Sequence, residues 1–342
     1  MAVIEVDALV KRYGGLPVVN EVSFSVAEGE IFGILGPNGA GKTTTVECIE
    51  GLRRPDGGSV RVLGLDPVKD RRELSHQVGV QLQQSLLPEN IKVEEALRLF
   101  ASFYRSPRDW RGLLEEWGLA DRRKARFGAL SGGQKQRLFI ALALVGDPKV
   151  AFLDELTTGL DPGARRATWE LIKRVRAAGV TVVLVSHFMD EVEELCDRVA
   201  VFDRGRIVAL DTPANLISAV DADQHLRFTP LAPFDDALLT GLPGVVSVTR
   251  RGEQVIVAGR GEFAVAVTSA LARERVPVAG LRVDQHTLDD AFTALTGRPF
   301  DGGEGHVTGS EIGGGERHVT GSESDGEERR VTGSGIGGGE GA

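Results

Sequence analysis

The sequence is poor in cysteine, has no long apolar run, and does not begin with the residue pattern of a secretory leader. Its 342 residues include two cysteines, Cys48 and Cys196, which lie far apart in helical patterns and are expected to be buried as small apolar side chains. Such a low cysteine content fits a cytosolic protein. No run of about 18 apolar residues occurs, so no membrane-spanning helix is expected. The first residues lack a basic segment followed by an apolar one, so no secretion signal is expected either.

The sequence also lacks a concentration of basic residues. The net charge is −9, but residues 301–342 alone carry 9 acidic and 3 basic side chains, which leaves −3 for residues 1–300. Proteins that bind nucleic acid need a basic stripe or patch, and this nearly balanced part shows none. No nucleic-acid partner is therefore expected. The length suits roughly two to three domains.

A motif near the start of the chain predicts a phosphate-binding loop. The apolar run Ile31–Leu35 is typical of a buried strand, and a helical pattern covers residues 44–52. Between them, residues 36–43 fit G-x-x-x-x-G-K-[ST], whose glycines let backbone N–H groups turn inward around an anion. Lys42 is expected to reach the β- and γ-phosphates, and Thr43 to offer its hydroxyl to Mg²⁺. The nucleotide-binding residues predicted here are Gly36, Pro37, Asn38, Gly39, Ala40, Gly41, Lys42, Thr43 and Thr44.

Apolar strands alternate with helical patterns over the first two thirds of the chain. Buried strands are expected at 150–153 and 180–185, with an amphipathic helix at 165–178 between them. This alternation predicts an α/β fold with a mainly parallel sheet covered on both faces. A helical stretch from about 85 to 147 indicates an insertion into that core. The alternating segment 2–10 predicts an edge strand.

The pattern changes after residue 212. Short strands and helices at 263–275 and 288–296 predict a small α+β module, which we bound at 223–299. From residue 300 the chain is a repeat with a spacing of 12 residues, and 15 of the 44 glycines fall there. Such a composition cannot bury enough apolar surface to offset the entropy of ordering, so 300–342 is predicted to be a disordered tail.

An acidic pair follows the predicted strand at 150–153. Asp154 ends that strand, where its carboxylate can hold Mg²⁺, usually through water. Glu155 comes next, at the turn of the chain, and can accept a proton from a water aimed at the γ-phosphate. A solvent-exposed acidic pair is the alternative, and the phosphate loop earlier in the same sheet favours the catalytic interpretation.

The stretch Leu130-Ser131-Gly132-Gly133-Gln134 begins another helical pattern. Ser131 can cap the helix, but capping alone does not require the residues Gly132, Gly133 and Gln134 after it. The stretch resembles the LSGGQ signature of ATP-binding-cassette (ABC) ATPases. The order GPNGAGKTT, LSGGQKQR, AFLDE, TTGLDP and Ser-His is similar to that family from about residue 3 to 220. The resemblance implies a P-loop NTPase cassette at 1–222, with a mainly parallel core, an antiparallel β subdomain and a helical insertion.

The resemblance implies roles for single residues. Tyr13 is similar to the aromatic residue that stacks on adenine. Gln83 is similar to the glutamine that contacts Mg²⁺ and senses the membrane partner, although Gln81 and Gln84 leave this assignment open. The implied catalytic residues are Glu155, His187 and Lys42, with His187 as the γ-phosphate switch. The implied metal-binding residues are Thr43, Gln83 and Asp154. The residues implied to contact nucleotide across a dimer are Ser131, Gly132, Gly133, Gln134 and Asp161.

One residue departs from the family pattern. Leu156 stands where the family usually has a proline after the Asp-Glu pair. A proline would stiffen that turn. Both carboxylates are kept, so altered loop rigidity is expected, and not lost hydrolysis.

Within the family, the sequence resembles the ATP-binding subunits of type-2 bacterial exporters of the daunorubicin-resistance kind. Residues 78–84, 138–145 and 288–297 carry this similarity. It implies ATP and Mg²⁺ as ligands. It also implies a separate membrane permease that docks near the loop of Gln83 and the helical insertion, so that this chain lies on the cytoplasmic face of the cell membrane. It also implies a head-to-tail dimer with a second copy or a relative, because the signature of one protomer closes over the ATP of the other.

A soluble ABC ATPase or a nucleotide switch with a non-transport partner is the alternative. Ribosome-acting relatives usually carry two cassettes, and chromosome or repair ATPases carry long heptad segments; this chain has one cassette and no such heptads. A switch without turnover would not need Asp154, Glu155 and His187. The cargo stays open, because its specificity would lie in the permease.

Overall fold

The computed structural model describes residues 1–81, 87–220, 223–284 and 286–299, all within one compact unit, Met1–Gly303. In chain order the strands are β1 (Ala2–Tyr13), β2 (Leu16–Ala27), β3 (Ile31–Leu35), β4 (Gly57–Val62), β5 (Val78–Gln81), β6 (Val150–Asp154), β7 (Thr181–Ser186), β8 (Arg198–Asp203), β9 (Arg206–Asp211), β10 (Gln224–Pro230), β11 (Val245–Arg251), β12 (Gln254–Gly259) and β13 (Val278–Asp284). The α-helices are α1 (Lys42–Ile49), α2 (Arg71–Leu74), α3 (Val93–Ala101), α4 (Trp110–Glu116), α5 (Gly132–Leu144), α6 (Pro162–Ala177), α7 (Met189–Leu195), α8 (Pro213–Ser218), α9 (Ala237–Thr240), α10 (Phe263–Arg273) and α11 (Leu288–Thr296).

A six-stranded sheet in the order β5-β6-β7-β3-β8-β9 forms the centre of the first part. The strands β5, β6, β7, β3 and β8 of this sheet run parallel, and β9 pairs antiparallel with β8. Every residue of β3 and β7 is buried, because apolar cores cover both faces of the sheet. Along β7, Val182 and Leu184 belong to one core while Val183 and Val185 belong to the other. The predicted α/β fold with a mainly parallel sheet is confirmed.

The two faces are covered by different parts of the chain. On one face lie α1 and a three-stranded antiparallel sheet in the order β2-β1-β4. On the other lie the helices α3 to α7. The antiparallel subdomain implied by the resemblance is therefore present. The prediction that residues 2–10 form an edge strand is wrong, since β1 is the middle strand. A central strand with one wet face alternates in the same way as an edge strand, so the pattern does not separate them.

A second sheet, in the order β11-β12-β10-β13, lies in the C-terminal part. All neighbouring pairs are antiparallel, and the chain order is β-α-β-β-α-β, which is the ferredoxin-like arrangement. Helix α10 packs on this sheet, with Phe263 and Val267 in its core. The sequence assigns α11 to the same module, but its buried side chains Leu288, Ala291 and Phe292 belong to the core that holds α7 and α8.

No helix in the described part of the chain is both long and apolar enough to cross a membrane. The predicted tail at 300–342 lies outside the described residues.

Candidate active site

The phosphate-loop segment runs from the end of β3 to the start of α1, as its motif predicts. A Cβ atom on Gly36 would come within 2.5 Å of the carbonyl oxygen of Phe202, and one on Gly41 within 2.6 Å of that of Val18. Gly41 also has a φ of +97°, which disfavours any side chain. Both positions therefore need glycine because the backbone is packed closely against neighbouring strands.

Lys42 is buried at the mouth of this loop. Its ammonium donates hydrogen bonds to the carbonyl oxygens of Gly36, at 2.7 Å, and Pro37, at 3.1 Å. Burial lowers its pKa, while the nearby carboxylates of Glu155 and Asp154 act to raise it. The unpaired N–H groups at the start of α1 lie in the same segment. Cationic and N–H donors beside two carboxylates form a donor set that fits a magnesium-bound phosphate chain.

Asp154 lies next to this loop because three neighbouring strands end together. Leu35 is paired with Ser186, and Asp154 with Val185, so the carboxyl ends of β3, β7 and β6 are in line. Burial raises the pKa of Asp154 to about 6, Glu155 adds to the rise, and Lys42 and His187 oppose it. A desolvated carboxylate beside a cation is a suitable ligand for a divalent ion.

Glu155 and His187 face each other across the ends of β6 and β7. The Nδ1 atom of His187 lies 3.3 Å from Oε1 of Glu155. Glu155 has a φ of +48°, in the left-handed region, and its N–H donates to the carbonyl of Val185 at 2.9 Å. A non-glycine residue in that region is strained by about 1–2 kcal/mol and is held there by its surroundings.

Leu156 is part of what holds this turn. Its side chain is fully buried and belongs to the core under α5 and α6. A proline would restrict the turn through its ring, whereas here an apolar side chain anchors it. Next along the loop, the carboxylate of Asp161 accepts from the N–H groups of Gly163 and Ala164 and caps α6.

The signature segment caps α5 and lies beside that loop. The hydroxyl of Ser131 accepts from the N–H of Gln134 at 3.4 Å, and the Gln134 side chain accepts from the Ser131 N–H at 3.0 Å. Added Cβ atoms on Gly132 and Gly133 would lie 3.9 Å from Leu160 and 3.5 Å from Ala164. The signature segment, residues 130–134, therefore lies beside the residues around Asp161, whereas the phosphate loop packs on β2 and β8.

The predicted adenine-stacking residue, Tyr13, ends β1 and is 41% exposed. The cationic groups of Lys11 and Arg53 each lie 5.6 Å from the centre of its ring. The side chain is therefore partly accessible to solvent, with both cationic groups over its ring. The predicted glutamine, Gln83, lies outside the described residues, as does its alternative Gln84.

The sequence pattern does not identify two desolvated carboxyl groups near the site. Glu50 ends α1, and burial, with Asp154 and Glu47, raises its pKa to about 8. Glu191, on α7, is fully buried beside Ser186. In the sequence both resemble surface positions of helices, and only the packing of α1 and α7 shows that they are desolvated.

Comparison with known proteins identifies the family. The family model described as ABC transporter matches residues 19–158. The Nod factor export ATP-binding protein I of Ralstonia nicotianae is 37% identical over 304 residues, which are 86% of this chain and 94% of that protein. The daunorubicin/doxorubicin resistance ATP-binding protein DrrA of Streptomyces peucetius is 34% identical over 309 residues, 87% of this chain and 93% of that protein.

Solved structures agree with this family. An ATP-binding subunit of an ABC transporter superposes with a TM-score of 0.58 and 30% identity, over 63% of this chain and 92% of that one. The cbiO1 subunit of Clostridium perfringens gives 0.59 and 27%, over 64% and 91%. The chain therefore belongs to the ATP-binding subunits of ABC transporters, in the branch of type-2 bacterial exporters, and is an ATPase.

Proposed function

We propose that this chain powers export through a separate membrane permease, by closing as a head-to-tail dimer on ATP and opening after hydrolysis. The observation that carries the proposal is that Lys42, Asp154, Glu155 and His187 lie together at the phosphate loop, whereas the signature segment has its neighbours in Leu160 and Ala164. A nucleotide that needs both surfaces must take the second from another protomer. Binding energy then drives closure, because only the closed dimer provides all contacts.

The proposed residue roles follow the chemistry of each group. Lys42 neutralises the β- and γ-phosphates, and Thr43 and Asp154, with Gln83, hold Mg²⁺. When bound, the metal supplies charge neutralisation of the phosphate oxygens. Glu155 accepts the proton of the attacking water, since it lies beyond the strand end and against His187.

Contacts across the dimer and with the base of ATP complete the proposed set of binding residues. The remaining loop residues other than Pro37, which has no backbone N–H, surround the phosphates with their N–H groups, and Tyr13 stacks on adenine. The residues proposed to act from the opposite protomer are Ser131, Gly132, Gly133, Gln134 and Asp161. The exposed position of Ser131 and Asp161 supports contact with a second chain.

A groove beside the helical insertion supports the proposed permease contact. It encloses about 830 Å³ and is lined by α2, by His76 and Gln77, and by Tyr104 and Arg105 after α3. His76 and Gln77 directly precede β5, whose other end leads into the segment with Gln83. A partner in this groove would therefore act through one short strand on the proposed sensing glutamine. On this proposal, the protein is bound to its permease at the cytoplasmic face of the cell membrane.

The domain roles follow from this arrangement. Residues 1–222 form the ATP-binding domain, with residues 85–147 as its helical subdomain. Residues 223–299 form an accessory module, whose last helix, α11, packs on α7 and α8 of the ATP-binding domain, and residues 300–342 form a tail. Both relatives described above are named for export or drug resistance, which supports an outward direction of transport.

ATP hydrolysis with Mg²⁺ by the purified chain, together with its oligomeric state, tests the proposal. Wild type is expected to hydrolyse ATP slowly and to be mainly monomeric. Glu155→Gln should bind ATP, lose hydrolysis and accumulate as a dimer in size-exclusion chromatography, because the closed state can no longer be released. Lys42→Ala should lose ATP affinity and not dimerise.

Two outcomes would contradict the proposal. Equal hydrolysis rates for wild type and Glu155→Gln would remove Glu155 as the base. A Glu155→Gln protein that stays monomeric at saturating ATP would remove the closing dimer and favour a nucleotide switch. Ser131→Ala mixed with Lys42→Ala provides a control, since each mixed dimer keeps one complete site and one doubly defective site.

A further inference from the structure

A buried carboxylate, Glu191, is hydrogen-bonded to the residue that precedes His187. Glu191 is fully buried on α7, and its Oε2 atom accepts a hydrogen bond of 2.6 Å from the hydroxyl of Ser186. Its Oε1 atom accepts one of 3.2 Å from the indole Nε1 of Trp169, on α6.

This network holds the backbone on both sides of His187. The hydroxyl of Ser186 accepts from the N–H of Phe188 at 3.0 Å, so its own proton is directed to Glu191. The ring of Phe188 lies against the guanidinium of Arg165, 4.4 Å from its central carbon. The residues before and after His187 are thus both tied to Glu191 or to α6, which leaves His187 little freedom to move alone.

Stability does not account for a carboxylate in this place. Burial raises the pKa of Glu191, which means that the surroundings penalise its charge. Replacing a buried charged group with an apolar one of similar volume is often neutral or stabilising. A buried polar network does, however, select one arrangement of the groups that it joins.

We propose that Glu191 is a positioning residue that couples His187 to α6. It touches no nucleotide and acts through Ser186, whose backbone leads directly into His187. The inference rests on the proposed function, because it requires His187 to act on the γ-phosphate. Through Trp169 the same carboxylate joins His187 to the helix that Asp161 caps, and so joins hydrolysis to the proposed dimer contact.

Steady-state hydrolysis of Mg-ATP by the full chain, with kcat and KM measured separately, tests this role. Glu191→Leu keeps a buried side chain of similar size but leaves Ser186 and Trp169 without an acceptor. Its kcat is expected to fall about 100-fold, the effect of a displacement near 1 Å at a catalytic group. Its affinity for a fluorescent ATP analogue should stay within about twofold of wild type, because Lys42 and its loop are untouched.

Glu191→Gln can accept from Trp169 and donate to the Ser186 oxygen, so it is expected to retain most of the wild-type kcat. Glu194→Gln is the matched control on the same helix, since Glu194 is exposed and pairs with Lys173. It should leave kcat and KM unchanged.

The decisive measurement repeats Glu191→Leu in a His187→Ala background. If Glu191 acts through His187, the second substitution causes no further loss of kcat. An equal loss in both backgrounds would overturn the inference, as would an unchanged kcat in Glu191→Leu or an equal loss in the leucine and glutamine variants. Trp169→Phe serves if Glu191→Leu fails to fold: it keeps an aromatic ring, removes the N–H donor to Glu191, and should slow hydrolysis only when His187 is present. Failure of the proposed function would appear differently, as a wild-type chain that does not hydrolyse ATP.

Discussion

Replacing Glu50 with glutamine is expected to stabilise the nucleotide-free protein above neutral pH. Burial, followed by the charges of Asp154 and Glu47, raises the pKa of Glu50 from 4.5 to about 8. As pH rises from 4.5 toward 8, the unfolded chain therefore loses this proton while the folded protein keeps it. The stabilisation from the raised pKa is complete below the pKa that Glu50 has in the unfolded chain. It is lost as the pH rises through the pKa that Glu50 has in the folded protein.

The size of the effect follows from the shift itself. One pKa unit corresponds to about 1.4 kcal/mol, so a rise from 4.5 to about 8 lowers the free energy of unfolding by roughly 3 to 5 kcal/mol above pH 8. Glutamine has nearly the same shape and no charge, so Glu50→Gln removes this loss. The two proteins should be similar near pH 4.5 and differ by the full amount above pH 8.

Urea denaturation of both apoproteins across this pH range measures the difference. Glu73→Gln on α2 is the control, because Glu73 is exposed and its replacement should follow the wild-type curve. A Glu50→Gln curve that runs parallel to wild type at every pH would refute the argument, since it would show that Glu50 is not desolvated in the folded protein.

Three further changes test the site and its support. Asp154→Asn should stabilise the apoprotein above about pH 6, because burial raises the Asp154 pKa to about 6, and should abolish Mg-dependent hydrolysis; loss of stability at neutral pH would contradict the first part. Leu156→Ala should lower the free energy of unfolding by about 2–5 kcal/mol in urea titration and should slow hydrolysis, because the turn that holds Glu155 loses its buried side chain. Leu99 is exposed, so Leu99→Ala is the control, and an equally small effect of Leu156→Ala would contradict this role of Leu156. Phe292→Ala should lower the free energy of unfolding by about 3–5 kcal/mol and release α11 from α7 and α8. The release is measured as faster amide hydrogen exchange in all three helices, and unchanged exchange in α7 would show that α11 does not pack there.

The packing of α11 shows where a sequence pattern stops being informative. The spacing of Leu288, Ala291 and Phe292 predicts a helix with one apolar face, and α11 has that face. The pattern does not identify the surface that covers it. That surface belongs to α7 and α8, and the N–H of Leu288 donates to Glu193 on α7 at 2.7 Å. These contacts are far apart in the chain, so their energies are invisible in any local window.

The strand pattern has a similar limit. Residues 2–10 alternate because one face of β1 is buried and the other is wet, and this holds equally at the edge or in the middle of an antiparallel sheet. Hydrogen bonds to β2 and β4 decide between them. The carboxyl groups of Glu50 and Glu191 follow the same rule, since their burial depends on what is packed against their helices.

The sequence by itself determined the phosphate loop, the helix cap at Ser131, and the alternation of buried strands with helices. Each of these depends on residues within one strand, turn or helix, where backbone geometry is set by neighbours along the chain. The tertiary structure alone decided that Asp154, Glu155 and His187 meet Lys42, because this requires β6, β7 and β3 to lie side by side. It also decided the shifted pKa values and the network behind His187, since desolvation arises only when distant segments exclude water together.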